Sequence, residues 1–472
     1  MPADTPASSP RPAVEPASSA ARPAADHTPA DAPRAGAPAP RRLAPLAGRT
    51  WWVVVIVGFV GQLAWTVENM YLNLFVYDTI TSDPTVIAIL VAASAVAATL
   101  ATMVVGAWSD KVRSRRPFIA IGYILWGATT AMFGFVQPES GAAAAQVVGT
   151  AVVAVILLDC VMSFFGSGAN DAAFNAWVTD STRPSNRGRV DGVLAVLPLI
   201  SMLLVFGALD PLTQAGQWKL FFGLIGGATA VVGVIAWFLV RDAPDIETTS
   251  DGYFAAFVHG LRPSTVKANP RLYTLLAAWA IIGTSSQVFI PYLIIYIQRY
   301  LRIDGYAMVL ASVLVLAAVI SVLGGRVIDR VGKLRAVMPA VALMIVGLIG
   351  MFFARDMFTV IVFGTIMMGG FMLSTASLSA NVRDQTPVDR VGMVQGLRMI
   401  FVVLIPMVIG PFVGALVILG ANETYEDLGV VKQVPTPWMF VAAAVIAILV
   451  LVPLMFVRRE RIAADASAVV DA

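Results

Sequence analysis

Glu68, Asp159 and Asp171 are carboxylic acids placed within long apolar stretches of the chain. An ionisable group inside such a run costs a few kcal/mol unless it meets water, an ion or a partner, so each is a functional candidate. Amides gather beside them. Gln62, Thr66, Asn69 and Asn73 recur at helical spacing around Glu68 and share one face. Asp159, Ser163, Gly166 and Asn170 share a face of a second run, with Asp171 adjacent and Asn175 one turn further. Groups of this kind bind ions or exchange protons and offer hydrogen bonds to a polar solute. Each acid also has a plainer reading: Glu68 hydrated near an interface, Asp159 a protonated hydrogen-bonding group, Asp171 paired with a loop arginine. Bond-making chemistry has little to use, because the chain has one cysteine, Cys160, and two histidines, His27 and His259, both outside the apolar runs. No disulfide framework, Cys-rich metal site or His-based catalytic constellation can be assembled, and an enzyme is not expected.

The elements that position these groups are membrane spans. The chain is 58% hydrophobic and 13% charged, with a mean hydropathy of +0.80, too apolar for an ordinary soluble protein. Twelve stretches of bilayer length can be read, at about 51–78, 85–108, 117–136, 146–170, 190–209, 219–240, 271–298, 306–328, 336–354, 357–378, 394–419 and 437–457. They are continuous rather than alternating, which argues against a β-barrel. With the amino terminus inside, 27 of the 32 Lys and Arg fall on the cytoplasmic side; only Lys219, Arg299, Arg302, Arg355 and Lys432 fall outside. Cationic loops resist translocation, so both termini are expected in the cytoplasm, with the chain a multi-pass protein of the inner (cytoplasmic) membrane. The net charge of +3 reflects this asymmetry; no basic patch is interleaved with aromatics, and no nucleic-acid partner is expected. The Pro-, Ala- and Ser-rich segment 1–47 lacks the layout of a secretory signal and reads as a disordered tail.

Two motifs occur twice. Residues 106–118 read G-A-W-S-D-K-V-R-S-R-R-P-F and residues 325–335 read G-R-V-I-D-R-V-G-K-L-R, so Gly106 and Asp110 recur 219 positions later as Gly325 and Asp329. In the second repeat, Asp180, Arg187 and Gly192 are answered by Asp384, Arg390 and Gly396, with Asp-to-Gly spacing of twelve in both and an offset of 204. Similar offsets argue for two homologous halves, the internal symmetry of transporter folds. The reading is an all-α membrane protein of twelve transmembrane helices in two pseudo-symmetric six-helix halves. They span 48–241 and 271–457, joined by a cytoplasmic linker at 242–270 and followed by a tail at 458–472. The linker carries a possible amphipathic face of Tyr253, Phe254, Phe257 and Leu261.

At these turns the chain resembles the major facilitator superfamily, whose loop between helices 2 and 3 carries a Gly-x-x-x-Asp-Arg/Lys-x-Gly motif; Arg113 stands where that pattern prefers Gly. The S-D-x-x-R-S-R run followed by R-P-F, the segment D-A-A-F-N-A-W-V-T-D, and S-S-Q with F-I-P-Y-L in the seventh span resemble the glycoside–pentoside–hexuronide cation symporters, the melibiose permease group, and the related sucrose transporters. That resemblance implies a gating latch built from Gly106, Asp110, Lys111, Arg115 and Arg116, with Gly325, Asp329 and Arg330 in the second half and Arg187 and Arg390 in the second motif. It places a cation-binding role on Asp171, beside Asp159 and Glu68. It also expects acids one and two turns before Gly106, where this chain has Thr102 and Ala98. The implied activity is alternating-access uptake of a sugar or glycoside by a monomer in the lipid bilayer, driven by protons or sodium, with no cofactor. Gln62, Asn69, Asn73, Asn170, Asn175, Gln287 and Tyr292 would bond the hydroxyls, and Trp65 would stack on a sugar ring. The rivals are proton-driven efflux of a drug or secondary metabolite, which calls for a more aromatic and less amide-rich cavity, and a transporter-like sensor that moves no solute.

Overall fold

The computed structural model describes residues 48–136, 144–182, 184–242, 260–386, 391–427 and 430–456. Among them are twelve helices long and apolar enough to cross a membrane. In chain order they are α1 Gly48–Thr79, α2 Pro84–Val112, α3 Arg116–Phe135, α4 Val148–Ser181, α5 Asn186–Gln214 and α6 Trp218–Leu239, then α7 Pro270–Tyr300, α8 Tyr306–Arg326, α9 Lys333–Phe353, α10 Met357–Asp384, α11 Met393–Ala421 and α12 Trp438–Phe456. A two-stranded antiparallel hairpin, β1 Thr424–Asp427 and β2 Val430–Gln433, lies between α11 and α12, with Thr424 opposite Gln433. Local sequence sets the helix starts. Asp83 accepts from the Thr85 amide at 2.8 Å ahead of Pro84, and Asp356 caps α10 through the Phe358 and Thr359 amides. The Asp356 carboxyl is held below its ordinary range by the Thr359 hydroxyl and these amides.

The pairings of the first half recur in the second: α2 on α4 as α8 on α10, α1 on α5 as α7 on α11, and α3 on α6 as α9 on α12. Small residues permit the closest approach. A Cβ on Gly127 of α3 or Gly226 of α6 would collide with the other's carbonyl oxygen. The halves meet along α2 with α11 and α5 with α8, and α1 touches α7 at the end away from the basic loops. Leu100, Leu157, Phe238, Phe358 and Leu416 are large apolar side chains left exposed on the outside of the bundle, as a lipid-facing surface requires.

Several helices outrun their apolar stretches. Helix α4 continues through D-A-A-F-N-A-W-V-T-D to Ser181 rather than ending near residue 170, since a helix satisfies its own backbone whatever its side chains face. Wide π-helical turns interrupt α1 at Val67–Tyr71, α4 at Ser167–Phe174 and α11 at Met399–Leu404. Tyr253, Phe254 and Phe257 of the linker lie outside the described residues; Leu261 is exposed before a short helix, Pro263–Ala268.

Candidate transport cavity

A cavity of about 740 Å³ opens between the halves. The α1 wall contributes Gln62, Trp65, Glu68 and Asn69; α4 contributes Ser167, Asp171 and Asn175; α2 contributes Ser94, Ala95, Ala98 and Thr102. The second half contributes one helix, α11, through Gln395, Arg398, Met399, Val402, Val403 and Met407. Val178, Thr179 and Asp191 line it near the basic loops, so its mouth is at that end of the molecule. The first-half wall is therefore polar and acidic, while the second-half wall is apolar apart from one amide and one guanidinium. Ala98 and Thr102, where the resemblance expects acids, do face the cavity, so the lack of carboxylates on α2 is a property of its wall.

The three acids form two linked groups. Glu68 is 8% exposed; its Oε1 accepts from Ser163 Oγ at 2.5 Å, and its Oε2 has no partner among the described residues. Asp159, 2% exposed, lies behind that wall, hydrogen-bonded to Ser94, with Oδ1 unpartnered among the described residues. Asp171 faces the cavity within the π-helical turn of α4; Ser167 Oγ donates to Oδ2 at 2.9 Å and Asn170 Nδ2 to Oδ1 at 3.0 Å. Each carboxylate thus carries at most two donors where its oxygens can accept about four, leaving capacity for a cation or proton.

Other expected ligands are placed elsewhere. Asn73 is 1% exposed and off the cavity, its amide spent on the Asn69 carbonyl at 3.0 Å. The π-helical turn at Val67–Tyr71 inserts an extra residue between Gln62 and Asn73, which rotates Asn73 off the stripe that an uninterrupted helix would have kept. Asn170 sits behind Asp171, accepting from Tyr123 Oη at 2.9 Å. Gln287 is half-buried and does not line the cavity; Gly410 of α11 packs on its Cβ. Tyr292 is fully buried, because the tight turn Ile290–Tyr292 around Pro291 aims its hydroxyl at the carbonyls of Pro84 (3.0 Å) and Pro411 (2.9 Å). Trp65 lines the cavity with its ring 5.2 Å from that of Trp126.

At the basic end, Arg115 is the organising residue. It is 4% exposed and reaches Asp110 at 2.5 Å, Asp180 at 3.2 Å and Ser109 Oγ at 2.5 Å. The Arg115 and Arg116 amides bond Asp242 Oδ1, and the Arg116 guanidinium lies 4.7 Å over Trp237. Gly106 sits near Ala172 of α4, Lys111 is exposed, and Arg187 donates to the Thr179 carbonyl at 3.4 Å. In the second half, Lys333 pairs with Asp384 at 2.6 Å, so the acid that ends the fourth helix of each half is tied to that half's loop. Gly325 and the exposed Arg330 flank Asp329, whose side chain lies outside the described residues, as does Arg390. All these ion pairs stay within one half.

The side-chain hydrogen bonds and ion pairs that cross between the halves, among the described residues, lie at the opposite end. Asp210, at the far end of α5, is 1% exposed and accepts from Tyr71 at 2.8 Å, from Gln214 at 2.5 Å and from Tyr306 of α8. Asp78 pairs with Arg299 at 2.8 Å, and Tyr77 donates to the Gln433 carbonyl at 2.5 Å. Asp210 and Arg398 were not among the sequence candidates. The first reads as a loop residue just past a span, the second as one more topology-setting cation.

The arrangement, open at one end, bolted at the other and furnished with buried carboxylates in one wall, is that of a solute carrier. No curated protein sequence matches the chain. Solved structures match in fold. A bacterial homologue of the human lysosomal transporter Spinster, inward-facing and unoccupied, aligns with TM-score 0.67 at 15% identity over 87% of this chain and 97% of its own. A mutant of the nucleoside transporter NupG gives 0.69 at 12% over 86% and 99%. The xylose transporter XylE from E. coli, partially occluded and inward-open, gives 0.60 at 12% over 85% and 97%. The sequence pattern of the Major Facilitator Superfamily matches residues 54–369 and 275–470, and the chain belongs to that family of transporters.

Proposed function

We propose that this transporter takes up a sugar or glycoside together with a cation, and that the structure is its inward-facing state, with the basic end in the cytoplasm. The observation that carries the reading is the wall of α1 and α4: Gln62, Trp65, Asn69 and Asn175 offer an aromatic face and hydrogen bonds to hydroxyls, directly beside Glu68 and Asp171. Glu68 and Asp159 are both buried, and each has an oxygen with no partner among the described residues, which a proton or sodium ion would satisfy. Binding of that ion and the solute to adjacent groups couples their movement. Two structures of similar fold are named as a xylose transporter and a nucleoside transporter, which supports this reading. The likeness to melibiose-type symporters supports the same reading.

The test is counterflow of radiolabelled mono- and disaccharides in proteoliposomes, comparing wild type with Asp171→Asn and Asp159→Asn. Exchange by wild type is expected, and imposed sodium and pH gradients then identify the ion. Folded protein that exchanges no sugar would sink this reading. A second reading, efflux of an amphipathic metabolite, rests on the apolar strip Met399, Val402, Val403 and Met407 and would then lead.

A further inference from the structure

Among the described residues, Arg398 is the one cation on the wall of the cavity. Its guanidinium lies 5.0 Å over the Trp279 ring of α7, and its Nη1 donates to Gln395 Oε1 at 3.1 Å. No carboxylate pairs with it among the described residues. A guanidinium has five N–H donors in a planar fork suited to bidentate recognition of carboxylate or phosphate. Here one is used within the protein, and the indole face fixes the plane of the rest.

Among the described residues, none stands as a counter-ion to Arg398. The Met399–Leu404 turn of α11 packs on α2, whose cavity-facing positions are Ser94, Ala95, Ala98 and Thr102. The acids on the same cavity, Glu68, Asp171 and the exposed Asp191 near its mouth, all belong to the other half, and none of them forms an ion pair with Arg398. An alternating-access cycle must close this cavity and exclude most of its water. Closure over a neutral solute would leave the guanidinium desolvated without an anion, which is strongly unfavourable.

We infer that Arg398 is the recognition point for an anionic group, a carboxylate or phosphate, on the transported solute, whose remainder lies against the Trp65 and Asn69 wall. The inference rests on the transport reading above and narrows its substrate class. It also balances charge: the cation at the first-half acids and the anion at Arg398 enter the closing cavity as a neutral set.

The experiment uses the full chain in nanodiscs and follows binding by ligand-induced thermal stabilisation, with two matched pairs of probes: glucuronate against glucose, and benzoate against benzamide. In wild type the anion of at least one pair is expected to bind about tenfold or more tightly than its neutral partner, the size of a charge-assisted hydrogen bond. Arg398→Gln removes the preference. Arg398→Lys, which keeps the charge but not the fork, retains part of it and decides the matter if the glutamine variant does not fold. Preference within the sugar pair supports both readings; preference confined to benzoate upholds the role of Arg398 while the sugar assignment fails. Wild type with no anion preference in either pair, including no binding at all, overturns the inference. So does a preference that survives in Arg398→Gln, or an equal loss of both members of a pair, which would mark Arg398 as a gate.

Discussion

The hydroxyl of Tyr306 on α8 donates to the carboxylate of Asp210 on α5, and this bond ties the two halves together at the end away from the basic loops. Tyr71 and Gln214 donate to the same side chain, so one buried carboxyl group holds donors from both halves. Opening that end requires the Tyr306 bond to break. Asp210→Asn puts an amide among these donors and leaves at least one poorly paired, a loss of about 1–3 kcal/mol. The equilibrium between closed and open far ends is then expected to shift by about 5- to 150-fold. Spin labels at Gln217 and Asp304, in a Cys160→Ala background, read this out as a longer-distance population. An unchanged distance distribution would show that Asp78 with Arg299, and Tyr292, carry the closure without Asp210.

Glu68 keeps its Ser163 bond if it becomes glutamine, because the amide oxygen can still accept, but it loses its charge. Glu68→Gln is therefore expected to preserve solute exchange and abolish accumulation against a gradient. Counterflow and gradient-driven uptake in the same vesicle preparation separate the two. Asn73→Ala should do the reverse: transport per folded molecule stays normal, while stability falls by about 1 kcal/mol through the lost buried amide bond. Gradient-driven accumulation by Glu68→Gln at the wild-type level would remove Glu68 from coupling.

The spans and the two halves were legible because apolar length and repeated Gly and Asp positions leave marks in composition and spacing. The acids were legible for the same reason, since a charge in an apolar run stands out. What the sequence hid was the rotation about each helix. The π-helical turn at Val67–Tyr71 shifts one hydrogen-bond register without any residue type that signals it, so Gln62 and Asn69 reach the cavity while Asn73 does not. Pro291 was visible as a break, but the direction in which it sends Tyr292 depends on α2 and α11, which are remote in sequence. Arg398 was concealed by context, because a basic residue near the start of a span normally reports topology alone.

Arg115 and Lys333 occupy related places in the two halves, yet they should differ in energetic weight. Arg115 is buried and shared between Asp110 and Asp180, whose side chains are 33% and 21% exposed. Its removal strands two carboxylates, and Arg115→Ala is expected to cost about 1–3 kcal/mol, reduced from the fully buried case by the water that reaches both acids. The pair of Lys333 with Asp384 is 42% and 50% exposed, so Lys333→Ala should cost less than about 1 kcal/mol. Thermal unfolding in detergent, with salt varied, compares them. Equal losses would mean that the burial of Arg115 contributes nothing.

Arg113 and Gly332 stand 219 residues apart, the offset that relates Gly106 to Gly325, and both have positive φ, 55° and 98°. The loop motif prefers glycine there because the chain must turn back at positive φ after the helix, with ψ 35° at Arg113 and 136° at Gly332. This chain meets that demand with glycine in the second half and with a strained arginine in the first. Arg113→Gly relieves about 1–2 kcal/mol of steric cost but adds freedom to the unfolded chain, for a net gain of up to about 1 kcal/mol. Gly332→Ala should lose about 1–3 kcal/mol. A Cβ at Gly332 meets nothing within 4 Å, so that loss is conformational and not a clash. Melting temperatures of the two variants are therefore expected to move in opposite directions, and a neutral Gly332→Ala would show that the loop relaxes away from positive φ at that position.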